Sequence, residues 1–276
     1  MDIKKLQQAA QDFMLHSPGN CVPKEKAMRE EFAGVKMFDS PIMGVASADD
    51  EYLLSLPGIP EANIDFAPPK FWFESAASVI SIYFPLAEQI RESNRQQEGG
   101  PSELWVHARN EGRAFMGKLC EHLKELLEKA GHQAIIPGFD PRFYMAVNKP
   151  VNGRTFTSNW SERHVAYAAG IGTFSLHRAI ITQAGAAGCL GSIVTSLKLP
   201  PTSRGYNGLE DYCTHCGACA ENCPAGAISL DGKMTHLLCR EFLMAVAQQY
   251  AERGYISGCG KCMTGVPCES SMPICL

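Results

Sequence analysis

The chain has 276 residues, 45% of them apolar and 20% charged, with a net charge of -4, a composition that excludes a fibrous or intrinsically disordered protein. No Lys/Arg run exceeds two adjacent residues, so the electrostatic footprint of a nucleic-acid binder is unsupported. The opening MDIKKLQQAAQDFML lacks the apolar block and cleavage site of a secretory signal and ASVISIYFPLA is too short to span a bilayer, so the expected location is the cytoplasm with no membrane partner.

KKLQQAAQDFML carries the spacing of an amphipathic helix, IMGVA that of a short buried strand, and ASVISIYF that of a second strand rich in β-branched and aromatic residues. AFMGKLCEHLKELLEKAGH follows as a long helix ended by Gly131, and QAIIP opens a third strand. This succession predicts an α/β (α+β) fold. Residues 138–158 hold prolines and glycines without a clear period, as functional loops do. SNWSERHVAYAAG predicts a helix with Ser158 or Asn159 as N-cap, Glu162 in a capping box and Gly170 at its end. RAIITQAGAAGCLGSIVTSLKL reads as two β-rich runs joined by a glycine-rich turn. LPPTSRGYNG breaks both periods and divides the chain into a cofactor and substrate domain at 1–204 and a cysteine-rich module at 205–276. Within the module, LLCREFLMAVAQQYAER is one amphipathic helix closed by Gly254.

Ten of the twelve cysteines follow residue 188 and nine follow residue 212. Without a secretion signal, such a cluster points to metal rather than to disulfides. Cys213, Cys216, Cys219 and Cys223, with Pro224 after them, reproduce the C-x2-C-x2-C-x3-C-P run of bacterial [4Fe-4S] proteins, whose fourth cysteine serves a second cube. Three thiolates two residues apart can wrap three corners of a cube, and Gly217, Ala218 and Ala220 leave room for backbone N–H groups near the sulfurs. Zinc also takes four cysteines, but three in a row ending in Cys-Pro suit a single tetrahedral centre poorly. The first cube then needs one more ligand and the second needs three besides Cys223. Cys268 for the first, and Cys239, Cys259 and Cys262 for the second, complete both and leave Cys275 free; Cys275 in place of Cys268 is the alternative. Cys21, Cys120 and Cys189 read as small buried hydrophobes.

GVASAD at 44–49, ASVISIYFPL at 77–86, SERHVAYAAGIGTFSLHRAIITQAG at 161–185 and SIVTSLKLPP at 192–201, ahead of a double cysteine module, resemble the epoxyqueuosine reductase family over about residues 37 to 270. That family is related in architecture to the reductive dehalogenases. The resemblance implies a nitroreductase-like mixed domain holding base-off cobalamin, followed by a small bicluster ferredoxin-like domain. It also implies the two ligand sets reached above by counting. Gly172, Thr173, Phe174, Ser175 and His177 match the stretch that lines cobalamin in the family. This chain departs from the family in three ways: no acid lies between Arg154 and Ser161, where the family has its proton-donating aspartate; the 138–158 loop looks inserted; and a C-terminal extension carried by many members is missing.

The candidate proton donors are therefore Asp140, Tyr144, Glu162 and His164. Asp140 ranks first, because a carboxylic acid in a dry pocket can have its pKa raised enough to donate. A turn role before Pro141 competes for Asp140 and a capping role for Glu162. His215 and His236 stand near ligand cysteines, where packing or tuning of cluster potential is expected. The expected function is an iron–sulfur oxidoreductase that takes electrons from an external donor such as ferredoxin or flavodoxin, through two [4Fe-4S] clusters, to a cofactor that reduces a small-molecule substrate. Two rivals are an electron-transfer protein or reductive activator of a corrinoid protein, and an FMN-dependent reductase, since nitroreductase-like domains generally hold FMN.

Overall fold

Strand β1 (Ile42–Ser47) runs antiparallel to β2 (Ser78–Pro85), whose eight residues are all buried. The short β3 (Ala134–Ile135) follows, and β4 (Met145–Ala146) pairs with β5 (Thr157–Ser158) inside the long loop. Next come β6 (Gly172–Phe174), β7 (Ile180–Thr182) and β8 (Gly188–Thr195). The main sheet has the order β1-β2-β8-β3, and every pairing in it is antiparallel. The computed structural model describes residues 1–59, 62–147, 151, 156–256 and 258–273.

Alternation along β2 sends Ile80, Ile82 and Phe84 into one core and Val79 and Tyr83 into the other. On the first face lie α1 (Ile3–His16), α4 (Glu88–Gln96) and α5 (Glu103–Lys129), which bury Leu6, Ile90, Trp105, Phe115 and Leu123. On the second face, α2 (Glu51–Ser55), α3 (Pro69–Trp72) and α6 (Glu162–Ala168) bring in Leu53, Trp72, Val165 and Tyr167. Each such side chain contributes about 1.5–3 kcal/mol of burial, so the sheet is held from both sides.

Three sequence expectations change. The long helix starts well before Ala114, because Ser102 caps it through Trp105 N at 3.1 Å. Gly112 allows close approach to Phe38, where a Cβ would lie 2.8 Å from the ring. The runs around 180 and 190 do not form one hairpin: β7 pairs with β6, and β8 pairs with β2 and β3. The N-cap of α6 is Ser161, without a side-chain cap bond, and Glu162 is the first helical residue, so no capping box forms.

The cysteine-rich part adds α7 (Ala218–Glu221) and α8 (His236–Gln249). Its apolar residues Cys219, Ile228, Val266 and Cys268 pack with Leu176, Ile181 and Ala186 from the earlier part of the chain. Among the described residues, no helix is long and apolar enough to cross a membrane.

Candidate functional site

Gly217 adopts φ +84, a left-handed turn that reverses the chain between Cys216 and α7. Cys268 is brought to the same place by a separate loop: Ala186 N donates to Cys268 O at 2.7 Å and Ala187 N to Glu269 O at 3.0 Å. A Cβ on Gly185 would stand 2.3 Å from Glu269 O, so that contact requires glycine. Glu269 is buried, takes Gly265 N at 2.7 Å and pairs with Arg91 and Arg95.

The thiols raise one another's pKa within two overlapping sets. Burial pushes Cys219 up to about 11, with Cys213 and Cys216 adding to the shift, and pushes Cys268 up to about 12, with Cys213, Cys219 and Cys216 adding. In the other group, burial raises Cys259 to about 11, with Cys223 and Cys239 adding, and raises Cys239, with Cys223 adding. Burial also raises Cys262, which senses Cys259, Cys223 and Cys239 and, across the groups, Cys219. Thiols that raise one another's pKa in this way would ionise together only with positive charge among them, which an iron–sulfur cluster would supply. Among the described residues no group of three or more His, Cys, Asp or Glu side chains is placed to hold a single metal ion. Cys275 lies outside the described residues.

The Cys259–Cys262 loop rests on α4 and α5. Asn94 donates to Cys259 O at 3.2 Å and to Thr264 Oγ1 at 3.1 Å, and Lys261 Nζ donates to Asn94 O and Gln97 O, both at 2.6 Å. Gly260, at φ +68, is pressed against Trp105, where a Cβ would fall 1.9 Å from the ring. Gly260→Ala is expected to cost about 2–5 kcal/mol from the left-handed residue and the overpacking together. Denaturant unfolding of the iron-loaded protein checks this, with iron content falling in the same variant.

Between α5, β8, the start of α6 and the Cys262–Met263 segment lies an open cavity of about 570 Å³. Arg109, Arg113, Met116, Gly117 and Cys120 form its α5 wall at helical spacing, a stripe that a search for cationic residues within an apolar helix face could have found in the sequence. Arg109 Nη1 donates to Cys189 Sγ at 3.0 Å. Arg109 Nε, Glu162 Oε2 and His177 Nδ1 are all buried without a hydrogen-bond partner among the described residues, and all three residues line this cavity.

Of the expected proton donors, Glu162 is the one on the cavity wall. Burial pushes its carboxyl up to about 7, against the opposing bonds from Ser192 and Trp160. Asp140 is engaged by Arg142, with Nε to Oδ1 at 2.8 Å and Nη2 to Oδ2 at 3.0 Å, and this pairing holds it below the usual carboxylate range. Arg142 also donates to Phe71 O and Trp72 O, so the pair fastens the loop to α3. Tyr144 donates to Asp65. His164 meets Tyr52 Oη at 2.6 Å, and burial pushes it down to about 4.

Of the five residues matched to cobalamin contact, Gly172, Thr173 and Phe174 are buried in β6, and Thr173 Oγ1 accepts from Tyr212 N at 3.0 Å. Ser175 lines a small hollow beside Cys213, Cys216, Cys219 and Cys268. His177 lines both that hollow and the large cavity, with Nε2 3.8 Å from Cys268 Sγ. His215 sits 3.4 Å from Glu210, and His236 stacks on Phe156.

An antiparallel α+β domain joined to a ferredoxin-type cysteine module defines an iron–sulfur protein, and residues 209–229 match the family described as 4Fe-4S binding domain. Within that class the chain is similar to epoxyqueuosine reductases. It is 31% identical over 215 residues to the epoxyqueuosine reductase of Bacillus anthracis, a match spanning 74% of this chain and 51% of that protein. The epoxyqueuosine reductase structure from Streptococcus thermophilus superposes with a TM-score of 0.52 at 19% identity, covering 100% of this chain and 69% of that one. A reductive dehalogenase structure, described as suggesting a mechanism for B12-dependent dehalogenation, gives 0.51 at 17% identity, covering 84% of this chain and 30% of that one. These structures establish the fold, and the chain spans about half the length of the curated relatives it matches.

Proposed function

We propose that the chain is an iron–sulfur oxidoreductase that passes electrons from an external donor of the ferredoxin or flavodoxin type, through two [4Fe-4S] clusters, to a cobalamin that reduces a small substrate. Cys213, Cys216, Cys219 and Cys268 hold the first cluster, and Cys223, Cys239, Cys259 and Cys262 the second. Residues 1–204 supply the cavity and residues 205–276 the cluster module, closed against each other by the shared apolar cluster. The observation that carries the reading is Cys262: it belongs to the second quartet and also lines the large cavity, so that quartet abuts the space where a ligand would bind.

The cavity is lined by Met116, Ile136, Phe139, Phe143 and Ile180 together with a few polar groups, the make-up expected of a cofactor site. The cavity measures about 570 Å³, and its apolar wall and polar groups would be the residues that hold a bound cofactor. Cobalamin, when bound, supplies a cobalt centre able to take and deliver single electrons. The apolar side chains keep water from the reacting atoms, and Cys262 and Met263 close the side toward the second quartet. Glu162 supplies the proton: burial keeps its carboxyl protonated up to about pH 7, and the residue lines the cavity. Its position gives this chain an acid without the loop aspartate that the family uses.

Anaerobic reconstitution followed by iron counting should give about eight iron atoms per chain, the content of two four-iron cubes. One equivalent of cob(II)alamin should then show a base-off cobalt EPR signal. A free-cobalamin spectrum over intact clusters removes the corrinoid; FMN released on denaturation would then mark a flavin reductase, and its absence an electron carrier or an activator of a corrinoid protein.

A further inference from the structure

A guanidinium stays charged at all ordinary pH values, and burying one of its N–H groups without a partner is costly. Arg109 and Arg163 both line this one cavity. Arg163 lines the cavity with an exposed side chain, and its hydrogen bond is to Arg178 O at 2.9 Å. Arg178 is itself a cation, and it is already paired to Glu210 at 2.9 Å. Arg109 spends Nη1 on Cys189 Sγ and leaves Nε buried without a partner. Neither arginine forms an ion pair among the described residues. Arg113 adds a third positive charge on the same wall, while Glu162, the acid on that wall, is half-protonated near neutral pH.

We propose that the cavity binds a ligand carrying a carboxylate or phosphate group, held by the guanidinium groups of Arg163 and Arg109. A planar fork of N–H donors matches the two oxygens of such a group, and a site closed to bulk water strengthens the pairing. The inference rests on reading the cavity as a ligand site. The oxyanion belongs either to the substrate or to the phosphodiester of a corrinoid tail.

Calorimetric titration of the iron-loaded protein with phenylacetate, phenyl phosphate and the neutral phenylacetamide tests it. Both anions should bind at least about ten-fold tighter than the amide, and Arg163→Gln or Arg109→Gln should each weaken them by about ten-fold or more, the effect of removing a charged hydrogen-bond partner. Arg163→Gln should melt close to the parent without ligand, because the side chain is exposed and forms no ion pair among the described residues. Arg163→Lys, which retains the charge, should recover part of the binding and serves if the glutamine variant does not fold. Repeating the titration after loading with cob(II)alamin, or with cob(II)inamide, which lacks the nucleotide phosphate, separates the two sources. Anion binding that survives cobalamin assigns the site to the substrate; binding blocked by cobalamin and not by cobinamide assigns it to the corrinoid tail. Equal affinity for amide and anions, or anion binding indifferent to both arginine substitutions, overturns the proposal. Iron content and EPR on the same samples report the oxidoreductase reading independently.

Discussion

Cys223→Ser is expected to leave about four iron atoms per chain in place of about eight, to spare the first cluster and to abolish turnover. The substitution falls within the local C-x2-C-x2-C-x3-C-P run, yet its effect should appear in the distant quartet. Cys223 influences Cys239, Cys259 and Cys262, whereas Cys219 and Cys268 respond to Cys213 and Cys216. Quantitative EPR of the reduced protein, with iron counted on the same sample, checks this. Loss of the first cluster with the second intact would sink the exchanged assignment. Cys268→Ser should give the opposite pattern.

Glu162→Gln should lower turnover by about 10²–10⁴-fold, the usual contribution of a positioned general acid, with little change in iron content. In the parent, turnover should fall as pH rises through about 7, where the buried carboxyl loses its proton. The glutamine variant should lack that limb, a result that a merely structural side chain would not give. Stability has a defined sign too. The folded carboxyl has its pKa raised from 4.5 to about 7, so between those values the folded chain holds a proton that the unfolded chain has released. Stability therefore falls as pH rises through that window, and the full cost is present above it. Urea midpoints at pH 5 and pH 8 should differ less in Glu162→Gln than in the parent.

The choice between Asp140 and Glu162 shows where sequence reading stops. Both are carboxylic acids near a helix start or a loop, and chemistry alone ranks the loop residue first. Arg142, two residues along, engages Asp140 and fastens it to α3, whereas Glu162 begins α6 on the cavity wall, beside Trp160 and Ser192. The capping box expected for Glu162 did not form because the helix starts one residue after Ser161, leaving the carboxyl directed into the protein. Arg109, Arg163 and Cys189 had no spacing signal of a known motif. Their meeting at one cavity depends on β8 lying across the middle of the sheet between β2 and β3.

The local sequence by itself determined the iron–sulfur character, because the ligands of one run are set two or three residues apart, a spacing that the sequence shows directly. It also showed the principal strands and the helices α1, α6, α8 and the C-terminal part of α5, whose periodicities are set by backbone geometry within a few residues, while α2, α3, α4 and α7 were not legible in it. Only the tertiary structure decided which of the candidate acids lines the cavity, and that Arg109 and Arg163, without ion pairs among the described residues, line it with Glu162. Those relations join residues far apart in sequence, and they depend on strand order and on which polar groups find partners once water is excluded, neither of which a local pattern encodes.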